Sequence, residues 1–314
     1  MAKQPIRIGA RGSKLSVIQA ETVRVAIAMA LGDDNAAVLV KIVTSGDRIQ
    51  DRTLTEIGGK GLFTLEIEQA LAEGRIDCAV HSLKDMPTEA PSGLVIAAIP
   101  EREDARDAFL SPKFSSLEAL PRGARLGTAS LRRQAQALRL RPDLEILALR
   151  GNVDTRLAKL ERGEADAIVL AAAGLNRLGL QDRIRAFIDP LNAPPAPGQG
   201  ALAIQTRAED RDAPWLTGLR HRPTALCVAA ERAALAVLDG SCRTAIGAFA
   251  RIDGKRLILT VEALSPDGQQ SFRGDAYLLE LSDDEGDEDR ATELGLRLGA
   301  EIKARAGDAL SVSP

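Results

Sequence analysis

Apolar runs with strand-like spacing alternate with runs of helical periodicity along the first hundred residues. They follow one another in the order strand, helix, strand, helix, strand, at residues 6–9, 15–31, 38–44, 63–71 and 78–83. Ser13 precedes the first helical run and can cap it, while Gly32 and Gly74 follow the two helical runs as left-handed C-cap residues do. Because strands separated by helices pair in parallel, this pattern predicts an α/β domain with a parallel sheet flanked by helices.

The same alternation restarts after a charged stretch at residues 100–104. Strand and helix patterns at residues 125–127, 131–140, 145–149, 153–160 and 167–171 predict a second α/β domain. A proline-rich segment at residues 190–200 ends this part of the chain. Proline lacks the amide hydrogen that a helix or a central strand needs, so we interpret the segment as a stiff connector.

The pattern changes in the last third of the chain. Residues 201–206 predict one more strand, and residues 224–238 predict a strongly apolar helix that ends at Gly240. Three strand-like runs follow, separated by Asp-Gly turn signals, at residues 245–252, 257–264 and 271–279. We expect a small antiparallel sheet with helices, an α+β domain. In this interpretation the acidic tract at residues 283–289 is a solvated loop before a final amphipathic helix, which extends to about Arg305.

Composition places the chain among ordinary globular proteins. It has 314 residues, of which 45% are hydrophobic and 27% are charged, which is enough for two or three domains. The 41 basic and 44 acidic residues leave a net charge of −3, which argues against a general electrostatic grip on nucleic acid. The chain shows no signal-like apolar segment and no membrane-spanning run, and its three cysteines suit a reducing compartment. We therefore expect a soluble cytoplasmic protein.

Several common kinds of catalytic site are disfavoured by the sequence. The chain has two histidines, no Gly-x-Ser-x-Gly elbow, and only scattered candidate zinc ligands. Residues 58–61 resemble a phosphate-binding loop, but Leu54 stands where the pattern needs glycine, and Gly61 where it needs serine or threonine. Residues 198–203 match a dinucleotide fingerprint formally, yet they follow the proline-rich connector rather than a strand.

The placement of arginine is more informative. Between Arg102 and Arg185 the chain has 14 arginines and two lysines. Carboxyl ends of parallel strands and amino ends of the following helices share one edge of a sheet, where ligands bind. We expect the polar and basic residues at that edge to converge on a polyanion, which guanidinium groups bind bidentately; they are Thr128, Ser130, Arg132, Arg133, Arg150 and Arg156. The alternative for any one arginine is a solvated surface charge.

A polar cluster follows the strand predicted at residues 78–83. Lys84 and Asp85 come directly after it, and Arg11 and Ser13 follow the first strand at the same predicted edge. A carboxylate beside an ammonium group there can exchange protons or stabilise a cationic intermediate. The alternative is a surface ion pair at a strand end.

One cysteine stands apart from the other two. Cys78 and Cys227 lie in apolar patterns and are predicted to be small buried hydrophobic residues. Cys242 lies in a turn after the apolar helix, and its neighbour Arg243 favours the thiolate. Cys242 is therefore the thiol placed to react.

These stretches together resemble the hydroxymethylbilane synthase, or porphobilinogen deaminase, family. The matching segments occur in family order over about three quarters of the chain, and they are residues 11–13 (RGS), 58–63 (GGKGLF), 81–87 (HSLKDMP), 127–133 (GTASLRR), 149–156 (LRGNVDTR), 171–178 (AAAGLNRL), 197–200 (PGQG) and 240–242 (GSC). Ala129 departs from the family, in which a serine is common there, and Ala245 stands where proline is frequent.

The resemblance implies a fold and a reaction. It implies two α/β domains like periplasmic binding proteins, with a cleft between them, and a third, α+β domain that carries the cofactor cysteine. We accordingly place domain 1 at residues 1–101 with 200–218, domain 2 at 102–199 and domain 3 at 219–314. The implied reaction joins four porphobilinogen molecules head to tail, with release of ammonia, to give the linear tetrapyrrole hydroxymethylbilane.

The resemblance also implies roles for individual residues. A dipyrromethane primer, itself made from substrate, is joined to Cys242 by a thioether. Asp85 is the catalytic carboxylate, which stabilises the azafulvene cation left by ammonia and moves protons, and Lys84 accompanies it. Cofactor-binding side chains are Ser13, Lys84, Asp85, Thr128, Ser130, Arg132, Arg133, Arg150 and Arg156. Substrate-binding side chains are Arg11, Ser13, Phe63, Arg150, Arg156, Arg177 and Gln199. Because each pyrrole unit carries an acetate and a propionate, the growing chain is the polyanion that the arginines predict.

Two other functions remain open on the sequence. Two α/β lobes with arginines at a binding edge also suit a cytoplasmic solute-binding protein without turnover. Pyridoxal chemistry on Lys84 is a third class, which no other feature supports. For partners we expect porphobilinogen as the small-molecule substrate, neither nucleic acid nor membrane, no metal, and a monomer.

Overall fold

The computed structural model describes residues 4–44, 64–238, 244–282 and 286–310. These residues form two compact units. The first comprises Met1–Glu103 with Gly200–Ala225, and the second comprises Asp104–Gln199 with Leu226–Pro314.

The first unit is built on a five-stranded sheet in the order β2-β1-β3-β10-β4. Its strands are β1 (Ile6–Arg11), β2 (Ala37–Ile42), β3 (Cys78–Ser82), β4 (Leu94–Ala98) and β10 (Leu202–Arg207). Strand β1 pairs in parallel with β2 and β3, whereas β10 pairs antiparallel with β3 and β4. The three strands predicted for this domain pair in parallel, as expected, but the complete sheet is mixed because β10, from a distant part of the chain, is inserted antiparallel.

Two helices flank this sheet, and their ends follow the sequence signals. They are α1 (Lys14–Leu31) and α2 (Leu65–Ala72). Ser13 caps α1 by accepting a hydrogen bond from Ser16 N at 3.3 Å, and Gly32 ends it with a φ of 65°. Gly74 follows α2 with a φ of 68°. The three predicted cap residues are confirmed.

The second unit contains a five-stranded sheet with the same arrangement, β7-β6-β8-β5-β9. Its strands are β5 (Asp107–Leu110), β6 (Arg125–Gly127), β7 (Glu145–Leu147), β8 (Ala167–Ala171) and β9 (Ala186–Ile188). Strand β6 pairs in parallel with β7 and β8, and β5 runs antiparallel to β8 and β9. The accompanying helices are α3 (Leu131–Leu140), α4 (Val153–Glu161) and α5 (Ala172–Arg177).

Three strands escaped the sequence analysis, namely β4, β5 and β9. Each is at most five residues long, and no helix separates β4 from β5. Short strands outside a strand–helix alternation give a weak periodic signal, since few alternations are sampled.

The C-terminal part of the second unit is a three-stranded antiparallel sheet in the order β11-β12-β13. The strands are β11 (Ala245–Asp253), β12 (Arg256–Leu264) and β13 (Ser271–Leu278), within two residues of the predicted bounds. Two helices, α6 (Arg222–Val237) and α7 (Asp287–Ala306), contribute to the hydrophobic core of this sheet. The predicted fold class, two α/β sheets followed by a small α+β part, is confirmed.

The acidic tract is not entirely a solvated loop, as the sequence analysis had it. Asp287 begins α7 and is buried, and its carboxylate accepts hydrogen bonds from Ser282 N at 2.9 Å and from Arg290 at 2.7 Å. Acidic residues suit the first turn of a helix, where amide groups point outwards. Residues 283–285 lie outside the described part of the chain.

The proline-rich connector forms a largely buried strap. Within the second unit, Pro195 O accepts a hydrogen bond from Ala248 N of β11 at 2.9 Å, and Gly198 N donates to buried Glu231 at 2.7 Å. A Cβ on Gly247 would lie 2.2 Å from Pro194 O, so only glycine fits this approach. The strap therefore joins the edge of the C-terminal sheet.

The three-domain division stays a prediction. The second unit contains both the second five-stranded sheet and the C-terminal sheet, which have separate hydrophobic clusters. Among the described residues, no helix is both long and apolar enough to cross a membrane.

Candidate active site

Polar side chains of the first unit gather where β1 and β3 end. These strands are parallel and paired, with Ile8 opposite Cys78, so Arg11 and Ser82 leave the sheet at the same edge. A short 3-10 turn, Leu83–Asp85, follows β3 directly and carries Lys84 and Asp85 into an exposed position. The edge predicted for these residues is the edge at which they lie.

A pocket of about 90 Å³ opens at this edge. Its lining brings together three of the predicted site residues, Arg11, Ser13 and Asp85, with Thr64 and His81. Lys84 is exposed next to Asp85 in the same turn. The pocket therefore has a carboxylate, a guanidinium and a hydroxyl group within one small volume, which suits the binding of a small charged molecule.

The turn that carries Asp85 is fixed at its base. Leu83 N donates to Ala201 O at 3.0 Å, and Met86 N closes the turn on Leu83 O at 3.1 Å. Gln19 of α1 donates to Ser82 Oγ at 2.9 Å. Leu83 itself is fully buried. The exposed carboxylate thus projects from a rigid support, as the positioning of a reacting group requires.

In the second unit, the loops after β6 and β7 carry the predicted polar residues. Ser130 caps α3, and its side chain accepts a hydrogen bond from Arg133 N. Thr128 is buried, and its hydroxyl accepts from Ser130 N at 3.2 Å. After β7, Gly151 adopts a φ of 113°, which turns the chain into α4, and Asn152 caps that helix. Both helices therefore begin at the carboxyl-terminal edge of the sheet, as predicted.

Arg132 and Arg133 meet a carboxylate that the sequence analysis missed, Asp107. Arg132 Nη1 lies 2.8 Å from Asp107 Oδ2, and Arg133 Nη2 lies 2.7 Å from Asp107 Oδ1. The three side chains are 5%, 9% and 3% exposed, respectively. Asp107 reaches them because β5 runs antiparallel to β8 and places its first residue opposite Ala171, at the carboxyl end of β8.

The charges of this cluster fix its protonation. Burial alone would raise the pKa of Asp107, but the charges and hydrogen bonds of Arg132 and Arg133 outweigh it and hold that pKa well below its ordinary value. Burial also lowers the pKa of Arg132, an effect that the charge of Asp107 opposes. One carboxylate and two guanidinium groups leave one net positive charge, which a ligand carboxylate can neutralise.

Arg156 has an unsatisfied donor near this cluster. Its Nε is buried and has no hydrogen-bond partner in the part of the chain that the structure describes. Burial, together with the nearby charge of Arg133, lowers the pKa of Arg156. A buried N–H without a partner costs stability unless a bound group satisfies it, so Arg156 fits a site for an anionic ligand.

Gln199 has a different environment from the one expected of a substrate contact. It is fully buried, and its Nε2 donates to Ala105 O at 2.8 Å and to Asp107 Oδ1 at 2.9 Å. Gln199 therefore supports the carboxylate that holds the two arginines. Arg150 and Arg177 are half-buried, after β7 and at the end of α5.

Two predicted site residues, Phe63 and Cys242, lie outside the described residues. The other two cysteines, Cys78 and Cys227, are buried, and burial raises the pKa of the Cys78 thiol. Their prediction as small buried residues is confirmed.

The fold and the site together define the class of protein. The chain is an α/β protein with two five-stranded sheets of equal strand order, polar side chains at the carboxyl-terminal edge of each, and an added antiparallel sheet. Two family models match the chain and identify a particular family within this class. Residues 6–214 match "Porphobilinogen deaminase, dipyromethane cofactor binding domain", and residues 225–304 match "Porphobilinogen deaminase, C-terminal domain".

Full-length relatives give the same result. The porphobilinogen deaminase of Caulobacter sp. (strain K31) is 65% identical over 316 residues, and that of Phenylobacterium zucineum (strain HLK1) is 62% identical over 321 residues. Each alignment covers 99% of this chain and 99% of the relative. The chain belongs to the porphobilinogen deaminase family. It is a transferase of tetrapyrrole biosynthesis with a dipyrromethane cofactor-binding domain.

Solved structures of binding proteins also align with the chain. A nutrient-binding protein from Burkholderia cenocepacia bound to methionine aligns with a TM-score of 0.44 and 18% identity, covering 68% of this chain and 89% of that one. The methionine-binding protein MetQ aligns with a TM-score of 0.45 and 16% identity, covering 69% of this chain and 88% of that one.

Proposed function

We propose that Asp85 is the catalytic carboxylate of the family's reaction, in which four porphobilinogen molecules are joined head to tail with loss of ammonia. The observation that carries this proposal is the pocket that holds Asp85 together with Arg11 and Ser13. When the aminomethyl group leaves as ammonia, positive charge develops on the substrate, and a fixed carboxylate stabilises it. Asp85 can also accept the proton that is lost when the new carbon–carbon bond forms.

Arg11, Ser13 and Lys84 are proposed to hold the substrate around Asp85. Arg11 and Ser13 line the pocket, and Lys84 follows β3 in the same turn as Asp85. Guanidinium and ammonium groups bind the acetate and propionate of each pyrrole ring, and the hydroxyl group of Ser13 can donate a hydrogen bond to either. These groups would thus orient the substrate through its two carboxylates.

The residues at the edge of the second sheet are proposed to bind the carboxylates of the primer and of the growing chain. They are Thr128, Ser130, Arg132, Arg133, Arg150, Arg156 and Arg177. The buried unsatisfied donor of Arg156 and the net positive charge around Asp107 support this role. Each charge-assisted hydrogen bond to a carboxylate contributes about 1.5–3 kcal/mol where water is excluded. Phe63 is proposed as a further substrate-binding residue, and Gln199 is proposed to act through Asp107.

The residues present fit a dipyrromethane cofactor, whose carboxylates would meet this cationic edge. When bound, the group supplies the covalent primer to which substrate units are added. Its attachment to Cys242 by a thioether is part of the proposal and rests on the motif at residues 240–242.

We propose the three domains given above, a monomeric state, a cytoplasmic location, and no nucleic-acid or membrane partner. The near balance of 41 basic and 44 acidic residues supports the absence of a nucleic-acid partner.

Replacement of the carboxylate tests the catalytic role. Asp85→Asn keeps the size of the side chain but removes its charge, so we expect the protein to fold, to retain at least part of its cofactor, and to lose turnover by about a hundredfold or more. Product formation from porphobilinogen is the measurement.

Glu89→Gln is the matched control, because Glu89 is an exposed carboxylate four residues further along the same loop. We expect it to retain normal turnover. Near-normal turnover in Asp85→Asn would remove Asp85 from the mechanism. A protein that binds porphobilinogen but never releases product would instead favour the solute-binding alternative.

A further inference from the structure

A chain of buried hydrogen bonds ends on the strand that delivers Asp85. Gln205 Nε2 of β10 donates to Glu68 Oε1 of α2 at 3.1 Å, and Gln205 Oε1 lies 3.1 Å from His81 Nε2 of β3. Thr64, at the start of α2, donates to Glu68 Oε2 at 3.2 Å. Glu68, Gln205 and His81 are each less than a tenth exposed. Three elements of the first unit, α2, β10 and β3, are thus tied together close to the turn that bears Asp85.

Strand register explains why these side chains meet. Ala203 lies opposite His81, and Gln205 lies opposite Ala79, so His81 and Gln205 are diagonal neighbours on one face of the sheet. Ala79 on that face belongs to the same hydrophobic cluster as Ile67 of α2, which directly precedes Glu68. The chain of hydrogen bonds therefore links α2, β10 and β3 on the face opposite Gln19, which secures Ser82 from α1.

The chemistry of the chain dictates where the protons lie. A carboxylate only accepts hydrogen bonds, so the amide nitrogen of Gln205 faces Glu68 and its oxygen faces His81. That oxygen can only accept, so His81 carries its hydrogen on Nε2. Burial, opposed by the Gln205 hydrogen bond and aided by the charge of Arg11, lowers the pKa of His81 to about 4. At neutral pH His81 is thus an uncharged ring in one tautomer.

We propose that Glu68, Gln205 and His81 are positioning residues that hold the end of β3, and with it the turn bearing Asp85, and that His81 does this as a neutral donor rather than as a proton carrier. This inference rests on the proposed role of Asp85. Charged side chains around His81 are Glu68 from α2, Arg11 from β1 and Asp85 from the turn, while β10 contributes only the neutral amide of Gln205. A cationic imidazole here would oppose the positive charge that Asp85 is proposed to stabilise.

The protonation state can be measured without any activity assay. The chain has only His81 and His221, so nitrogen NMR of ¹⁵N-histidine-labelled holoenzyme gives two ring systems, and His221→Gln assigns them. We expect His81 to be neutral, with hydrogen on Nε2 and none on Nδ1, from about pH 6 to pH 8. A protonated ring at pH 7, or hydrogen on Nδ1, would overturn the proposal.

Glu68→Gln tests whether Glu68, at the far end of the chain of hydrogen bonds, sets the tautomer of His81. The new amide can donate as well as accept, so Gln205 is no longer held in one orientation, and we expect a mixture of His81 tautomers. We expect kcat to fall about fivefold, corresponding to one hydrogen bond, with little change in KM. Glu73→Gln, on an exposed carboxylate at the end of α2, is the control and should leave the tautomer and kcat unchanged. An unchanged tautomer in Glu68→Gln would contradict the proposal.

A double-mutant cycle separates positioning of Asp85 from a general structural role. We expect Glu68→Gln to reduce turnover about fivefold in the normal chain and to have no further effect in Asp85→Asn. An equal reduction in both backgrounds would show that the chain of hydrogen bonds does not act through Asp85. If Asp85→Asn alone retains full turnover, the proposed function fails, whereas the NMR result still decides the state of His81.

His81→Gln tests the same proposal if Glu68→Gln does not fold. Glutamine keeps an N–H donor for Gln205 and cannot carry a proton at neutral pH, so we expect turnover within about fivefold of normal and an unchanged pH profile. A loss as large as that in Asp85→Asn would make His81 a proton carrier and overturn the proposal.

Discussion

At the scale of single residues, the main addition of the structure is the carboxylate between two arginines. The order of residues 127–133 places Arg132 and Arg133 at a ligand-binding edge, and the structure puts them there. The sequence cannot indicate Asp107, because that residue reaches the arginines only through the antiparallel pairing of β5 with β8. Ser13, Arg11 and Asp85 could be predicted, since each directly follows a strand that the sequence pattern predicts.

Removing the charge of Asp107 should lower the stability of the folded protein. Asp107→Asn leaves Arg132 and Arg133 without their buried counter-charge, and we expect unfolding free energy to fall by about 3 kcal/mol at pH 7. Denaturant unfolding measures it. Asp166→Asn is the control, because Asp166 pairs with Arg125 at 3.2 Å in the same unit but is partly exposed. We expect Asp166→Asn to lower the free energy of unfolding by less than about 1 kcal/mol. Equal losses in the two variants would show that burial does not make the Asp107 ion pairs more important for stability.

The same pair of proteins should differ in their response to acid. The pKa of Asp107 is lower in the folded chain than in the unfolded chain, so its contribution to stability is present above about pH 4, the ordinary value for aspartate, and is lost as pH falls through the folded value. We expect the stability gap between the normal chain and Asp107→Asn to narrow below about pH 4. A gap that widens in acid would have the wrong sign for this explanation.

At the scale of elements, helices and caps were the best predicted features. Ser13, Gly32 and Gly74 act locally, so neighbouring residues suffice to place them. The burial of the proline-rich strap could not be predicted, for the opposite reason. Its prolines exclude regular structure, as expected, but its burial depends on contacts with distant parts of the chain. Gly198 bonds to Glu231, which is 33 residues further along, and Pro195 bonds to Ala248 of β11.

Packing of α7 on α6 offers a test at this scale. A Cβ on Gly295 would lie 2.2 Å from Ala230 O and 2.8 Å from Ala233 Cβ, so the two helices would have to separate. We expect Gly295→Ala to destabilise the protein by about 1–2 kcal/mol, since overpacking outweighs the better helix propensity of alanine. Thermal unfolding is the measurement.

Gly286→Ala is the matched control for that substitution. Gly286 precedes α7, has a φ of −65°, and a Cβ there would meet nothing within 4 Å. We expect a change within about 0.5 kcal/mol. If both variants unfold at the same temperature, the close approach of the two helices is not a source of stability.

At the scale of the whole molecule, the sequence predicted the fold class and the family, but not the equivalence of the two five-stranded sheets. Both have a strand of opposite direction in the fourth position, β10 in one and β5 in the other. In the first sheet that strand comes last in the chain, and in the second it comes first. Sequence order therefore conceals a similarity that only pairing reveals.

The mass of the intact protein tests the cofactor assignment. We expect the purified protein to be heavier than its 314-residue sequence by two substrate-derived pyrrole units, as the matched cofactor-binding domain implies. Cys242→Ser should remove the excess, since no thioether can form.

Cys227→Ala should keep the excess mass, because that thiol is buried in the core of the C-terminal sheet. A bare mass for the normal chain, or an excess retained in Cys242→Ser, would refute attachment at position 242.

The late position of β10 in the chain also matters during synthesis. This strand lies between β3 and β4, yet it leaves the ribosome about a hundred residues after both. All five strands of the second sheet have been made by then, while β3 and β4 of the nascent chain still have open hydrogen-bonding edges. Open edges of this kind can recruit strands from other chains, so we expect the first sheet to be the more prone of the two to aggregate before translation ends.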